Sequence, residues 1–223
     1  RNGRNLVLTE TGHKGYSYAE EIFSLGSDLL NTVRQRPTSH PLQFSIGIVD
    51  AVPKLVSFKI LKPVFQLPTP VRVSCSEGKV IDLLSRLAAY RIDIVLSDEP
   101  APSSTNFKVF NHRLGECGIV FCAAPALASK LKRNFPESLN GAPALLPSEN
   151  TDLRRSLEKW FQSINIRPRV IAEFDDAALM KVAAEDGLGF FPLANVAAAE
   201  AIQKYGVKII GRSNECLQHF YLI

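Results

Sequence analysis

From residue 42 onward, short apolar runs alternate with amphipathic helical stretches, and that alternation leaves few folds open. Residues 42–49, with Ile46, Ile48 and Val49, suit a buried parallel strand. A helix is expected from Val52, with Leu55, Val56, Phe58, Ile60, Leu61, Val64 and Phe65 covering a sheet, and Pro68 and Pro70 close it. Pro53 stands in its first turn, where a missing N–H is tolerated. Residues 71–75 read as a second strand, 78–90 as a helix with Val80, Ile81, Leu83, Leu84, Leu87 and Ala88 inward, and 92–96 as a third strand. Two successive βαβ units imply a parallel sheet.

The run 117–124 reads as a strand leaving this first lobe, after which the alternation repeats. Helices are expected at 126–132, 151–164, 176–185 and 196–204, and strands at 144–146, 169–174 and 189–192. Residues 207–210 and 217–223 then return to the first lobe as two strands. The expected fold class is α/β with two lobes joined by crossing strands: 41–121 with 206–223 as subdomain I, and 122–205 as subdomain II.

Ahead of the lobes lies a basic ribbon, residues 1–12, and then a helix expected over 13–36 within a linker that reaches residue 40. Its apolar residues Ala19, Ile22, Phe23, Gly26, Leu29, Leu30 and Val33 recur at three- and four-residue intervals and form one stripe. Arg34, Arg36 and Pro37 end it. A single apolar stripe must be buried against something, so a dimer contact through Ala19, Ile22, Phe23, Leu29 and Val33 is expected; a helix folded back on its own domain is the alternative.

Composition narrows the class. With 46% hydrophobic and 22% charged residues in 223, the chain is globular. Its net charge of +4 is mild, and Lys130, Lys132 and Arg133 form the one tight basic cluster, which reads as a solvated helix end. No run of eighteen apolar residues suggests a membrane span. Cys75, Cys117, Cys122 and Cys216 lie singly in strand-like runs, as buried reduced thiols of a cytoplasmic protein would.

The ribbon and helix carry Arg4, Leu6, Leu8, Thr9, Glu10 and Gly12, then Tyr18, Ala19 and Ile22. This pattern resembles the end of the winged helix-turn-helix and the linker helix of LysR-type transcriptional regulators. The resemblance continues through Ile46-Gly47-Ile48, Arg91 to Leu96 and Val182 to Pro192 into the effector domain of that family, which has the type 2 periplasmic-binding-protein fold. Asp50-Ala51 with Lys54, Leu114 to Gly118 and Glu173 to Lys181 are similar to one branch, the activators of the sodium/proton antiporter gene. The resemblance implies a cytoplasmic regulator that binds promoter DNA through a winged helix-turn-helix missing from this chain. It also implies self-association as a dimer or tetramer and RNA polymerase as a further partner; the residues themselves indicate no cofactor.

In such a fold the ligand sits beyond the carboxyl ends of the strands. Expected effector contacts are Asp50, Ala51, Val52, Ser76, Ser97 and Asp98 in the first lobe, and Ser148, Asp175, Asp176 and Phe191 in the second. Helix N-termini facing a cleft favour anions. Here carboxylates occupy those termini, which favours a cation, and hard cations prefer oxygen ligands. Asp50, Asp98 and Asp176 are therefore candidate ligands for Na+ or Li+, the effectors that the resemblance also implies. N-capping is the competing role for Asp50 and Asp176. Gly187 reads as a helix C-cap rather than part of a nucleotide loop.

Two rivals remain. A solute-binding receptor of the same fold would be monomeric and have no use for the ribbon. A small dehydratase would use the carboxylates as acid and base, yet no nucleophile elbow, phosphate loop or zinc motif is present, and His13, His40, His112 and His219 are dispersed without evident partners.

Overall fold

The computed structural model describes residues 9–33, 42–105, 107–149 and 151–223. The chain separates into two compact units, Arg1–Leu42 and Gln43–Ile223. The ribbon over residues 1–8 and the helix end at Arg34, Arg36 and Pro37 lie outside the described residues.

In the first unit, helix α1 spans Glu10–Val33, about 36 Å at 1.5 Å per residue. Thr9 starts it: its Oγ1 accepts the Gly12 N–H at 3.1 Å, satisfying one of the first-turn donors. Ile22, Phe23, Leu29 and Val33 are exposed by 66%, 76%, 65% and 73%, while Ala19 is half-buried.

The second unit is built on a six-stranded sheet in the order β2-β1-β3-β8-β4-β7, where β1 is Leu42–Val49, β2 Val71–Gly78, β3 Ile94–Ser97, β4 His112–Ala123, β7 Phe191–Ala194 and β8 Lys208–Leu222. A parallel pair, β5 (Pro143–Pro147) and β6 (Arg169–Phe174), joins it through a bridge between Ala144 and Phe190. Helices α2 (Lys54–Leu61) and α3 (Val80–Ala88) serve the first three strands, and α4 (Pro125–Leu131), α5 (Asp152–Ser163), α6 (Ala177–Glu185) and α7 (Ala198–Tyr205) the remainder.

The expected parallel pairing of β1 and β3 is present, with Ile46 opposite Ile94 and Ile48 opposite Leu96. Period-two alternation then distributes the core. Along β4, Ile119, Phe121 and Ala123 enter a cluster with Leu157, Trp160 and Phe190, while Val120 and Cys122 face another with Leu145, Met180 and Phe191. Phe121 and Trp160 stack at 5.1 Å. The first core gathers Ile46, Val52, Leu83, Leu84, Val95 and Leu96.

Four side chains expected to face inward, Phe58, Phe65, Ile81 and Ala88, are exposed instead. On α3, Leu83 and Leu84 are buried and Val80 and Leu87 partly so, which leaves Ile81, about 100° around the helix, 70% exposed. Phe58 and Phe65 are likewise exposed by 57% and 58%, rather than covering the sheet.

The carboxyl end also differs from expectation, since residues 208–222 form one strand and not two. The polar stretch Arg212 to Glu215 continues the pairing through a register shift, in which Ser213 Oγ accepts the N–H groups of Glu215 and Cys216 at 3.2 and 3.1 Å. Gly118 sits opposite this irregularity, where an added Cβ would meet Ser213 O at 2.6 Å. Gly187, at φ +84°, terminates α6 as expected, its N–H donating to Ala184 O at 3.1 Å.

Candidate functional site

The parallel strands deliver their carboxyl ends to one cavity of about 540 Å³, within the range of small-molecule sites. One wall is the segment Asp50 to Lys54 after β1, with Glu77 on β2 and Gln218 on β8. The other is formed by Pro147, Thr151 and Leu153, the start of α6 from Phe174 to Lys181, and Phe191 to Ala194. Its apolar lining is well buried: Val52 is 1% exposed, Met180 3% and Phe191 0%.

The first wall is held by backbone and by one amide. Val52 N–H donates to Val49 O at 2.9 Å, and Asp50 N–H to Gly78 O at 3.3 Å. Gln218, 1% exposed, donates its Nε2 proton to Ala51 O at 3.1 Å and ties this segment to β8. Lys54 Nζ lies 2.5 Å from Glu77 Oε1, an exposed pair that neutralises both charges. Helix α2 starts after Pro53 without a side-chain cap. Asp50 therefore caps nothing, and among the described residues it has no ion pair.

The second wall differs. Asp176 Oδ1 accepts the Ala178 N–H at 2.7 Å, so a carboxylate already occupies the α6 N-terminus that would otherwise attract an anion. Asp175 stands exposed beside it.

This sheet order, with a cleft at the strand ends, is where the LysR substrate-binding domain matches, over residues 41–223. The chain belongs to that family. It is 31% identical over 224 residues to the transcriptional activator protein NhaR of Escherichia coli (strain K12), covering 100% of this chain and 73% of that protein. Two solved folds are similar. The effector-binding domain of QuiR in complex with shikimate has a TM-score of 0.64 at 14% identity and covers 82% of this chain and 87% of that one. The reduced regulatory domain of OxyR2 from Vibrio vulnificus has a TM-score of 0.65 at 13% identity and covers 84% and 88%. The two-lobed, type 2 periplasmic-binding-protein-like class is thereby established. The relatives are regulators and not enzymes, so the dehydratase reading falls away. No described helix is long and apolar enough to cross a membrane.

Within this LysR-type effector domain, the expected contacts divide. Asp50, Ala51, Val52, Asp175, Asp176 and Phe191 line the cavity, whereas Ser76, Ser97, Asp98 and Ser148 do not. Ser76 Oγ donates to Ile46 O at 3.4 Å, Ser97 Oγ accepts the Glu99 N–H at 3.1 Å, and Ser148 N–H donates to Phe174 O at 3.0 Å, so these serines brace strand ends. The cation trio is corrected too. Among the described residues no group of three His, Cys, Asp or Glu side chains could hold a metal ion, and Asp98 is 3% exposed, away from the cavity that Asp50 and Asp176 line.

Glu77, Thr151, Lys181 and Gln218 were missed. Gln218 carries a signal as an amide within an apolar strand, and Lys181 as the last residue of the Glu173-to-Lys181 motif. Two further expectations fail. Cys75 is exposed on the edge strand β2, and His219 has partners, with its Nε2 3.2 Å from Glu116 Oε2 and its Nδ1 4.0 Å from Asp152 Oδ2. Burial pushes the thiols of Cys122 and Cys216 up to about 12, with Asp152 adding to the shift at Cys216, which leaves them inert.

Proposed function

We propose that this chain is the effector-sensing and oligomerisation region of a DNA-binding transcriptional activator whose cleft reads a cation, with Na+ or Li+ as the signal for sodium/proton antiporter expression. The observation that carries the cationic reading is the charge of the cleft: Asp50 and Asp175 stand without ion pairs among the described residues, and Asp176 fills the helix terminus an anion would use. The likeness to NhaR and the Asp50 and Glu173-to-Lys181 motifs supply the particular ions. The exposed stripe of α1, through Ile22, Phe23, Leu29 and Val33, is the oligomerisation surface, and promoter DNA and RNA polymerase are partners of the full-length regulator.

A specific observation favours a second reading, an organic ammonium ion. A cavity of about 540 Å³ with an apolar lining is larger than a bare alkali ion needs.

Thermal stability at one ionic strength, in NaCl, LiCl, KCl, choline chloride and potassium shikimate, separates these readings. Tenfold excess over a dissociation constant stabilises by about 1.4 kcal/mol. The expected result is a shift with Na+ or Li+ that Asp50→Asn and Asp175→Asn remove; choline alone shifting the curve selects the organic cation. Stabilisation by shikimate alone would end the cationic reading.

A further inference from the structure

Helix α5 begins where two environments meet. Its cap Thr151 and its residue Leu153 border the cavity. Asp152 and Arg155, from the same turn, face the segment after β3: Arg155 Nη2 lies 2.6 Å from Glu99 Oε2 and 3.3 Å from Asp152 Oδ1. The contact joins two cores, because Leu96 and Ala101 flank Glu99 in the first and Leu153 and Leu157 seat α5 in the second.

Next to Glu99 stands Asp98, 3% exposed, and its Oδ2 is buried without a hydrogen-bond partner, the one such side-chain atom among the described residues. A buried charge left unpartnered is costly, and neutralisation is the ordinary relief. Burial pushes the Asp98 carboxyl up to about 6, opposed by its own backbone hydrogen bond, reinforced by Asp152 and Glu99, and opposed again by Arg155. Beyond these groups, His219 on β8 contacts Asp152 and also Glu116 on β4.

We infer that Asp98 is a proton-binding site that latches the edge of the effector cleft: when neutral it lets the first turn of α5 seat against the segment after β3, and when ionised it loosens that junction. The Thr151 and Leu153 edge of the cavity then responds to protons as well as to the effector, a coupling between two sites. The inference goes beyond the cationic reading and survives its failure, because it does not depend on what fills the cleft.

The sign follows from linkage. A carboxyl whose folded pKa lies above its unfolded value near 3.8 contributes stability that is complete below that value and is lost as pH rises through about 6. The junction should therefore loosen from pH 5 upward and be loosest above pH 7.

Hydrogen exchange of the full 223-residue chain, corrected for intrinsic rates between pH 5 and 7.5, reads this at the Arg154 amide, which Thr151 Oγ1 holds at 3.2 Å. Between pH 5 and 7.5 protection in the first turn of α5 should fall by up to about tenfold, levelling off above a titration midpoint near 6. Asp98→Asn, neutral at every pH, should flatten the profile at its low-pH level, while His219→Gln should keep the midpoint. A flat wild-type profile overturns the proposal whether or not the Asn variant folds. So does a midpoint that survives Asp98→Asn or disappears in His219→Gln.

Discussion

The Asp176 carboxylate is already engaged, since its Oδ1 accepts the Ala178 N–H while the residue lines the cavity. Substituting alanine should cost about 1 kcal/mol, and asparagine far less because it keeps an acceptor; urea midpoints of the two variants check this. A larger cost for Asn would mean that the charge, and not the cap, matters there. Arg154 is a second residue with a defined task. Its side chain is 7% exposed, with Nε 2.8 Å from Glu158 and Nη1 2.8 Å from Glu173 and 2.9 Å from Pro147 O. Desolvation disfavours its cation, but the hydrogen bonds and charges of Glu173 and Glu158 more than offset that and raise its pKa. Truncating a fully buried partner costs about 3–5 kcal/mol; because both carboxylates are partly exposed, Arg154→Ala should cost about 2 kcal/mol. At this scale the sequence was half legible. Asp at a helix start announces a cap or a ligand, and Asp176 proves to be the cap. Nothing in the chain order shows that Asp98 turns inward while Asp50, also at a strand end, stays exposed, because the groups near the segment after β3, such as Arg155 against Glu99, are distant in sequence.

Among the elements, those with a complete apolar face were the readable ones. Strand β1 occupies residues 42–49 and β6 residues 169–174, as their periodicity indicates. The strand β8 was not readable, since Gly211 to Glu215 looks like a loop and is continued only because β4 offers a partner and Ser213 satisfies the displaced N–H groups. Gly118 should therefore tolerate no side chain. Gly118→Val would drive Cβ into a backbone carbonyl at 2.6 Å, so one strand must shift, and soluble yield and melting temperature should both fall. Helix α1 presents the opposite case, an element whose apolar residues Ile22, Phe23, Leu29 and Val33 are exposed. Ile22→Asp with Leu29→Asp should lower the sedimentation mass to that of a monomer without changing the melting of residues 43–223. An unaltered mass would remove α1 from the oligomer contact.

At the scale of the whole molecule, the question is whether the two walls of the cleft belong to bodies that can unfold apart. The sheet argues against it. β8 pairs with β3 at Leu96 and Leu222 and with β4 from Cys122 and Ile209 to His112 and Leu222, so a single strand is hydrogen-bonded into both halves. Releasing one half would strip that strand of partners while it remained buried against the other. The cores share β4 in the same way, with Cys117 packed on the first, Phe121 in the second and Val120 in the third. Phe121→Ala, which should cost about 3–5 kcal/mol by opening a cavity beside Trp160, is therefore expected to lower the urea midpoint of both halves together. Hydrogen exchange in rising urea tests this, with β1 and β3 peptides reporting one half and β5 and α5 peptides the other. Coincident loss of protection in the variant is the expected result. First-core peptides that kept the wild-type midpoint while α5 lost protection would show two folding units, and the cleft would then be a hinge between independent bodies instead of a seam within one sheet.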